Sequence, residues 1–269
     1  TKGGIVGHVG YSVAQFNNVI STTSGIFGDC TGYAKVYNSV AVGARPYISA
    51  ANFTLENVYT TVEGDAVEGI TVVDGDHLKG EEAKVAMPNL GFEGNTVTWK
   101  TVENDYPAPT GAAAPSEGAI GKPWSGSRAT KFAGGNGTAE DPWQIATAEQ
   151  LALAIWQNNN GKHFILTADI YLNDVNSPLW ADKIGCNQWY TQRTTQSYAN
   201  FKASVFDGDG HVIYGLFYDH TGPQVEYVRT GLIPQLSASS VIKNVAMSQA
   251  YLDMNHDIAG DTAGTLVGN

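Results

Sequence analysis

Short apolar runs bounded by glycine and closed by asparagine recur along this chain. Gly25-Ile26-Phe27-Gly28 leads to Val36-Tyr37-Asn38-Ser39-Val40, Gly4-Ile5-Val6-Gly7 leads to Asn18-Val19, and Gly231-Leu232-Ile233 leads to Val241-Ile242-Lys243-Asn244-Val245. Gly264-Thr265-Leu266-Val267-Gly268 opens a further copy. First glycine and asparagine are 14 positions apart in one copy (4 to 18) and 13 in two others (25 to 38, 231 to 244), so spacing and residue type are kept together. Units this short cannot bury an apolar face alone and must stack on neighbours. Asn18 to Asn38 is 20 residues and Asn38 to Asn57 is 19, and the runs are β-branched and aromatic with no helical stripe. That period predicts an all-β fold: modules of right-handed parallel β-helix, a solenoid, with short capping helices. Gly4, Gly7, Gly25, Gly28, Gly215, Gly231, Gly264 and Gly268 then mark its glycine turns, where glycine supplies positive φ. Asn18, Asn38, Asn57 and Asn244 are placed to hydrogen-bond along the axis as an internal ladder.

The pattern breaks after Tyr59-Thr60-Thr61. Asp76 to Met87 reads as a short helix stopped by Pro88, and Leu90-Gly91-Phe92, Thr96-Val97-Thr98-Trp99 and Tyr106-Pro107 read as strands closing an open end. Residues 1–107 are therefore expected to be the closing part of one module, and 108–131, rich in Ala, Pro, Gly and Ser, its linker. Residues 132–269 are expected to open a second module. Thr147 with Gln150 forms a capping box for a helix whose apolar face is Leu151 and Ile155, with Asn159-Asn160-Gly161 as its stop. Strands follow at Phe164–Leu166, Ile170–Leu172, Val205–Phe206 and Val212–Tyr214.

Composition narrows the partners. With 15 Lys+Arg against 26 Asp+Glu the net charge is -11, which argues against nucleic acid or an anionic membrane surface. No apolar run is long enough to span a membrane. Repeats run up to both ends, so the chain reads as a piece of something longer. Cys30 and Cys186, 156 positions apart, read as two thiols or one disulfide.

Several motifs together resemble the GLUG-motif proteins. They are Gly134-Gly135-Asn136-Gly137-Thr138 with Asp141-Pro142-Trp143-Gln144-Ile145, Leu166-Thr167-Ala168-Asp169-Ile170, and the run from Phe206-Asp207-Gly208-Asp209-Gly210-His211 to Gly215-Leu216. The resemblance covers nearly all of 131–269 and implies β-helical repeats in large surface or secreted bacterial proteins, many adhesin-like and some belonging to immunoglobulin A peptidases. Gly215-Leu216-Phe217-Tyr218 and Gly231-Leu232-Ile233-Pro234 depart from the motif by lacking its second glycine.

Candidate chemistry is sparse. His8, His77, His163, His211, His220 and His256 form no His-Glu-Xaa-Xaa-His pair, so a metallopeptidase centre is not expected within this segment. Asp207 with Asp209, and Asp74 with Asp76, have the spacing of paired carboxylates for glycan cleavage or of calcium ligands, but both sit in Asp-Gly-Asp turns. No cofactor is expected apart from calcium at Asp207 and Asp209. Cys186 to Asn200 has no hydrophobic period and sets Trp189, Tyr190, Arg193 and Tyr198 among amides and hydroxyls, the side chains a sugar ring requires. The alternative is that Trp189 or Tyr190 folds back to cover the sheet. The expected function is a non-catalytic, rigid adhesive or structural array on a bacterial surface, touching a host or environmental glycan or surface protein through loops, and neighbouring modules through its ends. The alternatives are a polysaccharide-processing β-helix enzyme and a spacer or filament subunit with no ligand.

Overall fold

The computed structural model describes residues 6–9, 13–21, 25–30, 32–50, 52–93, 98–110, 122–156, 159–189, 200–220, 229–236, 240–254 and 262–267. The fold is all-β, built on parallel sheets, with few and short helices. Among the described strands the antiparallel pair is Trp99–Val102 with Asp105–Pro109.

A 12-stranded sheet organises the molecule. Its parallel path runs from Trp143–Ile145 through His163–Leu166, Val205–Asp207 and Val241–Lys243 to Val13–Asn17, Tyr33–Ala41, Phe53–Thr60 and Ile70–Val72. The order departs from chain order at one place, where Val241–Lys243 pairs with Gln15–Asn17. Residues from the predicted closing segment and the predicted opening segment therefore share one sheet.

Register explains why these strands pair as they do. Phe164, Phe206, Ile242, Phe16, Val36 and Leu55 are successive partners across the sheet and all are buried. A slip of one residue would turn such a strand's apolar side chains outward, so one buried column fixes the pairing of all six. Full burial of each side chain is worth about 1.5–3 kcal/mol. A parallel flank runs beside it through Ile170–Tyr171, Val212–Tyr214, Ala246–Ser248 and Ile20–Ser21 to Val40 and Ala41. There Tyr171 and Tyr214 stack with ring centres 4.8 Å apart and planes 10° from parallel.

At one end lies the helix Ala148–Trp156, burying Ala148, Leu151, Ala152, Ala154 and Ile155. Its start is closed reciprocally: the Gln150 amide N–H donates to Thr147 Oγ1 at 3.3 Å, and Ala146 N–H donates to Gln150 Oε1 at 2.8 Å. The predicted helix from Asp76 is a 3₁₀ turn at Gly75–His77 followed by a short α-helix at Glu82–Ala86. With Trp99, this segment does more than close an end. Leu78, Ala83, Met87, Leu90 and Trp99 share an apolar cluster with Tyr59 but also with Tyr171, Val212, Tyr214 and Ala246, so it lies along the flank of the sheet. Trp99 Nε1 donates to the Asn38 carbonyl at 3.1 Å, anchoring the segment midway. Farther along the chain the Trp124 N–H donates to the Tyr171 carbonyl.

Cys30 Sγ donates to the Gly32 and Asn52 carbonyls, each at 3.3 Å. Cys30 is buried and Cys186 half-buried.

Candidate functional site

Asparagines occupy the corners of the main sheet. Asn18, Asn38, Asn57 and Asn244 have φ of 54°, 48°, 53° and 53°, the left-handed region that asparagine tolerates better than other non-glycine residues. Asn57 Nδ2 donates to Asn38 Oδ1 at 3.0 Å, and Asn18 Nδ2 donates to Asn244 Oδ1 at 2.8 Å. Asn244 Nδ2 in turn donates to Asp207 Oδ1 at 3.0 Å. The ladder crosses the place where chain order breaks.

Asp207 is built into this row. Its Oδ1 also accepts from the Asp209 N–H at 3.0 Å, and its Oδ2 lies 2.8 Å from Lys243 Nζ. Asp209 takes positive φ at the same turn. Gly208 is held closely: a Cβ there would come within 2.2 Å of the Asn244 carbonyl oxygen. Asp74 makes the same local turn, accepting from Asp76 N–H at 3.0 Å as cap of the 3₁₀ turn. Among the described residues no three His, Cys, Asp or Glu side chains gather as a metal-ligand group.

Trp189 is a core residue. It is 1% exposed, its Nε1 donates to the Leu232 carbonyl at 2.9 Å, and it stacks on Trp156 at 4.8 Å and lies 4.7 Å from Trp124. A ring enclosed in this way presents no face to a sugar. Tyr190, Arg193 and Tyr198 lie outside the described residues, as do Gly4 and Gly268. Of the glycines expected to turn the chain through positive φ, Gly215 does so at 70°, whereas Gly25 does not and instead is needed for close approach, a Cβ there coming within 2.3 Å of the Arg45 carbonyl oxygen. Gly7, Gly28, Gly231 and Gly264 lie in or beside strands paired in parallel, and the asparagines take the positive φ at the corners.

A polar grouping that sequence spacing does not mark sits on the flank. His211 Nδ1 is 3.1 Å from Asp169 Oδ1, which also accepts from the Val212 N–H at 3.0 Å. Asp169 and His211 are 42 positions apart, and parallel pairing of Ile170 with Ile213 brings them together. Burial pushes the Lys100 ammonium below its usual value, with the Asp169 charge acting against that shift. Burial also raises the phenols of Tyr59, Tyr171 and Tyr214 above the ordinary value of 10.0, and Asp169 adds to the effect at Tyr171 and Tyr214.

These phenols tie stability to alkaline pH. Each folded-state pKa is raised, so the stabilisation is complete below pH 10.0 and is lost as pH rises through the folded values. The urea midpoint is expected to hold between about pH 8 and 9.5 and to fall above about pH 10. Tyr214→Phe should make that alkaline fall shallower, as followed by circular dichroism.

No family model and no solved structure matches the chain. Two curated proteins are similar over about half of it. One is the halomucin of Haloquadratum walsbyi, 31% identical over 136 residues, which are 49% of this chain and 1% of that protein. The other is a putative Gly-rich membrane protein of Evansella cellulosilytica, 30% identical over 141 residues, which are 51% of this chain and 14% of that protein. The matched stretch is thus a small part of each relative. Among the described residues no helix is long and apolar enough to cross a membrane.

Proposed function

We propose that the chain is a span of right-handed parallel β-helix in a large extracellular or cell-surface protein, serving as a rigid structural and adhesive array without catalysis of its own. The observation that carries this reading is the constant register. The column from Phe164 to Leu55 and the Asn57–Asn38 and Asn18–Asn244–Asp207 bonds recur at equivalent positions in successive strands, as a coiled chain of similar turns requires. The resemblance to GLUG-motif repeats supports it. So do the names of the relatives, a halomucin and a Gly-rich membrane protein, whose length far exceeds the matched segment. Stacked parallel strands resist bending, and ligand contact falls to loops carried at their margins.

Binding of the chain to immobilised glycans tests the adhesive part. A triple Tyr190→Ala, Arg193→Ala, Tyr198→Ala variant is expected to lose binding with its circular dichroism unchanged; equal binding by the variant would leave a spacer. The Asp169–His211 pair favours a second reading, glycan processing, since it is an oriented acid-base grouping. Incubation with host and plant glycans is expected to release neither new reducing ends nor unsaturated products. Products that vanish in Asp169→Asn would establish the enzyme instead.

A further inference from the structure

The joint between the two ends of the chain is uneven. On the main sheet Val241–Lys243 pairs directly with Gln15–Asn17, and on the flank Ala246 pairs directly with Ile20. On a third side a strand intervenes: Arg229 and Thr230 pair with Thr262 and Ala263, and Val267 bridges Ile233 on one hand and Val6 on the other. Strands are spaced about 4.7–4.9 Å apart, so the same two segments are about one spacing apart on two sides and about two on the third. The joint is a wedge.

Its main-sheet pairing is shorter than that inside the N-terminal segment and equal to that of Val205–Asp207 with Val241–Lys243, and the segments it joins are far apart along the chain. Inside the N-terminal segment the pairing runs from Ala34 to Ala41 against Phe53 to Thr60, whereas at the joint it covers Gln15–Asn17 against Val241–Lys243. Asn18 and Asn244, which close the ladder there, are 226 positions apart. Of the chain between them, Trp99 donates to the Asn38 carbonyl and Trp124 to the Tyr171 carbonyl. Parting at this joint would leave Val241–Lys243 as a bare parallel edge with unpaired backbone groups, and such an edge recruits a strand.

We propose that the joint exchanges between copies: residues 6–62 of one chain dock on the Val241–Lys243 edge of a second copy, in the register seen within one chain, and join chains head to tail. Every bond made within the chain is available between chains, because the donor and acceptor surfaces are the same. Phe16 enters the apolar column beside Ile242, and Asn18 meets Asn244. The same fit that closes one molecule would extend a fibre. The proposal stands on the strand pairings and does not depend on glycan binding.

Cross-linking across the joint tests it in a Cys30→Ser, Cys186→Ser background. Gln15→Cys chains are mixed with Val241→Cys chains, unfolded together, refolded at a series of concentrations and treated with a short bis-maleimide. A covalent heterodimer is expected, rising about tenfold for each tenfold in concentration while dimers are the minority. Chains carrying both cysteines report the same joint within one molecule. Closure of the double variant with no heterodimer at any concentration would overturn exchange, and closure of neither would overturn the joint itself. Sedimentation of the unsubstituted chain guards against a folding defect: its mass should rise with concentration, and a constant monomer mass would overturn the proposal.

Discussion

Trp189→Ala is expected to destabilise the protein by about 3–5 kcal/mol, the range for emptying a buried large aromatic site. For a chain of this size that corresponds to a drop in melting temperature on the order of 10 °C. The ring is enclosed by Trp124 and Trp156, and its indole N–H is spent on the Leu232 carbonyl, which the alanine variant leaves unpaired. Trp156 Nε1 already has no hydrogen-bond partner among the described residues, so the variant leaves a second buried polar group unpaired in the same cluster. Urea unfolding followed by circular dichroism gives the free energy, and the near-ultraviolet signal of the three tryptophans should collapse with it. Trp189→Phe should recover part of the packing and none of the hydrogen bond. A displayed ligand-binding ring would behave otherwise: its removal would shift stability by no more than about 0.5 kcal/mol.

The contrast shows what the chain discloses about itself. The strands of 13–60 could be located in the sequence because a repeat near 20 residues imposes apolar residues and an asparagine on each turn, whereas His163, Val205 and Val241 follow one another at 42 and 36 residues and only their short β-branched and aromatic runs marked those strands. The start of the Ala148–Trp156 helix was equally legible, since Thr147 and Gln150 bond locally. Trp189 was not, because an aromatic residue in a polar stretch without period reads alike whether it points inward or outward. Asp169 and His211 become neighbours through strand pairing rather than through spacing, and no motif joins them. The joint of Gln15–Asn17 with Val241–Lys243 was least accessible of all. Reading forward along the chain assigns each repeat to the one after it, and similar repeats leave the partner of the last one open.

Asn244→Ala is expected to cost about 2–5 kcal/mol, from two separable sources. Alanine in the left-handed region that Asn244 occupies, at a φ of 53°, loses about 1–2 kcal/mol. The side chain also accepts from Asn18 and donates to Asp207; Asp207 keeps the Asp209 N–H and Lys243, so the group left without its partner is the Asn18 amide, at about 1–3 kcal/mol. Asn18 bears this loss, since it is buried, its Oδ1 already lacks a partner among the described residues, and the variant removes the acceptor of its Nδ2. Asn244→Gly separates the two sources: glycine accepts the positive φ freely, so its deficit measures the lost bonds, and its difference from alanine measures backbone strain. Denaturant unfolding of the three proteins, with Asn38→Ala as a reference inside the N-terminal segment, resolves the comparison. Because Asn38 bonds to Asn57 within one continuous segment, its loss should leave the joint closed, whereas Asn244→Ala should loosen residues 6–62 from Val241–Lys243 before the rest unfolds. Hydrogen exchange would show this as faster exchange at Phe16 and Ile242 than at Val36 and Leu55. Equal protection at all four positions would mean that the ladder bond at Asn244 does not hold the joint.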